Sequence, residues 1–203
     1  MSASFNSLSR KTRKGTASDM IAIVIVLAVI AVIAYVSGIL KPESGGGNIL
    51  PSDGQTVGQI VNLANLGIEE STHRHITKLH KQFNAHLGYG EWEKLDGEGW
   101  DAMAKEGLLD PMVYLKLGDE LAKLEGAEDD MTTLAILAKH ASDHQDVQSI
   151  LYMHRILQDF DYWILADEPS DGEYWGVTQT YPNYSLKPLT QDAKEIIAFT
   201  KSK

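Results

Sequence analysis

Cysteine is absent from the 203-residue chain. That excludes a disulfide framework, thiolate zinc sites, iron–sulfur clusters and a thiol nucleophile. A transition metal would have to be held by imidazole and carboxylate. A basic face is missing from the larger part of the chain. Residues 1–41 hold Arg10, Lys11, Arg13, Lys14 and Lys41 against Asp19 alone, whereas residues 42–203 hold 13 basic and 27 acidic residues. Nucleic-acid binding needs lysine and arginine arrayed to displace counterions from phosphate, so nucleic acid is excluded as a partner. The acidity serves solubility. A nucleophile elbow, a Walker loop and the Rossmann glycine pattern are lacking too, and Gly97-Glu98-Gly99 is too short to stand for any of them. No catalytic residue is assigned.

What is present begins with one long apolar run. Residues 20–40 are 21 positions without a charge, dominated by isoleucine and valine. A helix needs about 20 apolar residues to cross the hydrocarbon of a bilayer, so the run predicts a single transmembrane helix. It is longer than the apolar region of a cleaved signal peptide. Four basic residues precede it within ten positions, and only Lys41 and Glu43 follow closely. Positive charge stays on the cytoplasmic side, which predicts a cytoplasmic tail over 1–19 and everything beyond the span outside the cytoplasm. Arg13-Lys14-Gly15 ahead of the run resembles the class III signal of archaeal pilin-like proteins. The resemblance covers about residues 13–36 and implies cleavage after Gly15 and a helix packed in a filament. Residues 41–55, with four glycines, two prolines and two serines, read as a flexible linker.

Residues 56–203 read as a mainly α domain, a small helical bundle with a turn-rich C-terminal segment. Helical spacing of apolar residues is found over 56–66 and, more strongly, over 68–87, where Thr72, Ile76, Leu79, Phe83 and Leu87 form one stripe. Gly88 ends it. A short helix is expected over 100–106. Asp110-Pro111 supplies an N-cap and a first-turn proline for the next helix, and Gly126 its stop. Asp129 and Asp130 open a long pattern through Ile164, with a break expected near Ser142-Asp143. The aromatic, β-branched stretch 174–181 predicts a short strand or ordered loop. Thr190 caps a closing helix over 190–201.

Histidine carries the chemical signal. All seven histidines follow the linker. His140 and His144, four apart, point the same way on a helix and can share one ion. A third nitrogen must come from the 68–87 helix, with His80 the first choice and His73 the second. Zinc or copper is the candidate ion, and the competing reading is a set of structural histidines at the edge of a core. His154 stands ten residues beyond His144, about 15 Å along a helix, too far for the same ion. Its alternatives are Asp161, one heptad on, or another helix. Asp161, near an apolar stripe, needs a partner such as Arg155 or a lysine. The leading expectation is a membrane-anchored, extracytoplasmic accessory or scaffold domain, non-catalytic, that contacts a membrane complex or envelope partner. The alternatives are a histidine-based metal-binding protein or metalloenzyme facing outside, and a pilin-like filament subunit.

Overall fold

The computed structural model describes residues 55–88, 92–93, 95–170, 172–185 and 188–203. The expected tail, the transmembrane helix, the signal around Gly15 and the linker up to its last residue lie outside these residues. Among the described residues no helix is long and apolar enough to cross a membrane. Those residues are mainly helical, with no strand among them.

The first helix is shorter than its periodicity predicts. α1 (Val57–Ile60) opens on Thr56, whose hydroxyl accepts the Gln59 N–H while the Gln59 side chain accepts the Thr56 N–H, each at 3.1 Å. This reciprocal pair satisfies two donors the helix start leaves over. The Thr56 hydroxyl also donates to the Ala166 carbonyl at 2.6 Å, and Gly58 packs so closely there that a Cβ would strike that oxygen. Thr56 and Gly58 hold the start of α1 on Ala166, and Val61, extended, ends it. The chain then leaves by turns through Gly67, which has φ +71°.

α2 (Glu70–Leu87) buries the predicted stripe of Thr72, Ile76, Leu79, Phe83 and Leu87, and adds His80. α3 (Gly97–Lys105) begins at Asp96, which accepts the Gly99 N–H at 3.1 Å, and buries Trp100 and Met103. α4 (Pro111–Leu121) is capped by Asp110 accepting from Met112 at 2.9 Å, with Pro111 in the first turn as expected. α5 (Ala127–His144) packs most extensively against α4. Gly118 makes this possible, since a Cβ there would lie 3.3 Å from Cβ of Met131.

The break in the long pattern falls three residues later than expected. Gln145 adopts a left-handed conformation (φ 51°), and Asp146 rather than Asp143 caps α6 (Val147–Asp159), accepting from Ser149 N–H at 2.8 Å. Asp143 stays in α5 and pairs with Lys139 one turn back. α6 runs directly into a π-helical turn, Phe160–Ile164, closed by Leu165 N–H donating to Phe160 C=O at 2.9 Å. α6 packs on both α5 and α2, and the π turn on α1 and α2. Trp163, Phe160, Tyr114, Tyr181 and Phe83 are the bulkiest fully buried side chains. The stretch 173–178 is an ordered loop, followed by α7 (Thr180–Tyr184). α8 (Gln191–Lys201) closes the chain with Thr190 as its cap, accepting from Ala193 at 3.0 Å.

Candidate functional site

The π turn and α2 bring together a buried polar cluster around Asp161, itself 6% exposed. His80 Nδ1 donates to Asp161 Oδ2 at 2.8 Å, and the Thr77 hydroxyl donates to Oδ1. His73 Nε2 lies 3.3 Å from Oδ1 and 3.2 Å from the Asp161 carbonyl. The other nitrogen of His80 accepts from Asn84 Nδ2 at 3.0 Å, and Asn84 Oδ1 accepts from His154 Nε2 at 2.8 Å. A hydrogen-bonded relay thus runs Asp161–His80–Asn84–His154 across the contact of α2 with α6 and the π turn. His154 pairs with another helix, one of the two roles its spacing allowed.

The charges follow from the geometry. Burial pushes the Asp161 carboxyl up, but the donors from His73, His80 and Thr77 outweigh it and hold the group well below the usual carboxylate range. The hydrogen bond to Asp161 raises His73 above its ordinary value against the opposing effect of burial. His154 is pushed down to about 4, first by burial and then by His80 and Arg155. The partner expected for Asp161 was a cation such as Arg155; the imidazoles of α2 fill that place. Arg155 instead lies 4.4 Å from the ring centre of Trp175. The signal for the true partners was present in the stripe, because His73, Thr77 and His80 flank Ile76, but nothing in one helix says what packs against it.

His140 and His144 do face one another, with ring centres 4.6 Å apart. His140 Nδ1 is engaged by the Ser149 hydroxyl at 3.2 Å and lies 3.5 Å from Asp146, which joins the end of α5 to the start of α6. His73 and His80 are committed to Asp161, so the two pairs serve different helix contacts. Among the described residues no group of three or more histidine, aspartate or glutamate side chains is arranged to hold a metal ion.

Two further buried carboxylates were hidden in the sequence. Asp130 resembled a helix-start acid but is 1% exposed, and it accepts from Gln179 N–H at 2.7 Å, Thr180 N–H at 2.9 Å and the Thr180 hydroxyl at 2.7 Å. Asp159, fully buried, accepts from Trp175 N–H at 2.8 Å and Val177 N–H at 2.9 Å. Burial pushes Asp130 up to about 7 and Asp159, which the charge of Asp130 also raises, up to about 8, against the pull of these donors. Together they hold the 175–180 backbone against α5 and α6. All three buried carboxylates are thereby used internally.

The surface offers a different feature. Leu115 of α4 and Ile136 of α5 are 41% and 38% exposed, and with Ala135 they line an apolar groove of about 310 Å³ between the two helices. Met112, one turn before Leu115, is 64% exposed. Lys139, His140, His144 and Lys203 border the groove. On α2 the groove bordered by Arg74, Lys78 and Lys81 is a solvated helix face, with Arg74 paired to Glu70 at 2.9 Å. No family model, curated protein or solved structure is matched by this chain.

Proposed function

We propose that the chain is a membrane-anchored, non-catalytic accessory protein whose helical domain lies outside the cytoplasm and docks a protein partner of the membrane or envelope. Anchoring and side rest on the uncharged run 20–40 and the basic residues before it. The docking role rests on one observation, the exposed apolar groove between α4 and α5. Three of the large apolar side chains most exposed among the described residues, Met112, Leu115 and Ile136, lie on these two adjacent helices. An apolar patch rimmed by polar groups on an otherwise charged surface is the usual mark of an interaction site. The polar interior, by contrast, is committed to holding the fold together. The histidine-based alternative lacks a comparable observation, because His80 and His73 bind Asp161 instead of converging on His140 and His144.

A photo-crosslinking amino acid placed at Ile136 or Leu115 in intact cells tests the reading. A discrete cross-linked species is expected at both positions and not at exposed Glu98 of α3. Its absence at Ile136 and Leu115 would reject the groove as a docking site.

A further inference from the structure

We infer that the partner presents an acidic amphipathic helix, laid into the groove between α4 and α5. The inference rests on the docking reading above and adds the chemistry of the occupant. Two packed helices leave a trough that accepts a third, whose apolar residues at i, i+3 or i+4 and i+7 reach the floor. That floor is Leu115, Ala135 and Ile136. The described residues contain no strand whose edge an extended peptide could join.

Charge selects the partner's sign. Residues 42–203 carry 27 acidic against 13 basic residues, yet the groove is bordered by Lys139, Lys203, His140 and His144 with a single acid, Asp143. Lys139 already meets that acid at 2.7 Å. Asp146, 3.5 Å from His140 Nδ1, is occupied with the Ser149 N–H and hydroxyl, at 2.8 and 2.6 Å. Lys203 lies 4.0 Å from the ring centre of Phe199, on which His140 also packs edge-on, so α8 contributes to the same rim. An incoming carboxylate therefore meets ammonium and imidazole donors here, and repulsion over most of the remaining surface. A broad anionic bilayer fits poorly, because exposed Asp119, Glu120, Glu128 and Asp129, none of which lines the groove, stand on the same two helices beyond it.

The test is a displayed library of helical peptides with leucine fixed at i, i+3 and i+7 and randomised flanks. It is panned on the full-length chain in detergent micelles, and counter-panned on Ile136→Glu and Leu115→Glu. Both side chains are already exposed, so these changes should leave the fold intact, which circular dichroism checks. Met112→Glu is the reserve variant. The selected flanks are expected to be rich in aspartate and glutamate. The best peptide should bind Ile136→Glu at least tenfold more weakly and Lys139→Glu several-fold more weakly, and its affinity should fall with salt. Selected flanks that are neutral or basic would overturn the acidic helix while leaving the docking site standing. Failure to select any peptide that separates wild type from Ile136→Glu would overturn both.

Discussion

Asp161 shows how much a single residue's surroundings decide. The sequence marks it as anomalous, a carboxylate near an apolar stripe, and burial at 6% exposure agrees. Its partner was not legible, because the imidazoles of His73 and His80 lie over 80 residues away and meet it only when α2 packs on the π turn. Replacing Asp161 by asparagine would put an NH₂ or a single acceptor where two imidazoles and a hydroxyl now converge. Leaving buried donors unmet in this way costs about 1–3 kcal/mol. The sign with pH follows from the lowered carboxyl. Its contribution is present above the unfolded carboxyl value of about 4 and is lost as pH falls through the lower folded value. His154 acts in the same sense, because its folded value of about 4 lies below the free imidazole, so stability is lost as pH falls from about 6.5 towards 4. His73, raised, contributes in the opposite sense, fully below about 6.5 and lost as pH rises through its folded value. Thermal unfolding of the full-length chain should therefore show a Tm that falls below about pH 4, where the contribution of Asp161 is lost. In Asp161→Asn the Tm should be lower at pH 7 and the acid slope shallower. An unchanged slope would show that the carboxylate is not the titrating group.

At the scale of elements, periodicity and caps gave α2, α4 and α8 nearly as built, since a one-sided stripe and a local cap are properties of the segment itself. The errors fell where tertiary contacts override local pattern. α1 is held on Ala166 at its start, by Thr56, and ends at Ile60 because Val61 turns extended (φ −122°). The α5–α6 break sits at Gln145, since Asp146 can cap with Ser149 while Asp143 is held by Lys139. The stretch 174–181 has strand composition but no strand partner. Its backbone donors go to Asp159 and Asp130 instead, a long-range arrangement invisible to spacing rules. This makes a prediction about the segment. Asp159→Asn leaves one oxygen where two backbone amides now each find one and sets an NH₂ against the other, which costs about 1–3 kcal/mol and loosens the loop. Protease sensitivity should rise within 167–190 before it rises in α2. The folded value of Asp159, about 8, lies above the unfolded one, so its stabilisation is complete below about 4 and lost as pH rises through 8. Wild-type Tm should thus decline between about pH 6.5 and 8, above the range in which His154 acts in the opposite sense, and the decline should shrink in the variant. An equal decline in both would assign the alkaline loss to other groups.

At the scale of the whole molecule, the sequence speaks most directly about the part that precedes the helical domain. Residues 41–55 are rich in glycine, proline and serine, a composition that does not sustain regular structure. Fifteen such residues extend at most about 50 Å at roughly 3.3–3.6 Å each, so a tethered domain would search only the layer close to its membrane. On the proposed reading, confinement of that kind would raise the effective concentration of a membrane partner, so that a shallow groove between two helices would suffice for docking. The side on which the proposed docking would take place rests on the charge step alone. Arg10, Lys11, Arg13 and Lys14 stand before the uncharged run, against Asp19, and the 27 acidic residues after it contribute little to orientation. Protease added outside spheroplasts should therefore remove the helical domain and spare the first fourteen residues, as read with an N-terminal tag. Changing all four basic residues to glutamate should leave a substantial fraction of the domain protected inside, whereas the same number of charge changes on exposed positions of α3 and α8 should not. A helical domain protected in the unaltered chain would put it in the cytoplasm, and the partner with it.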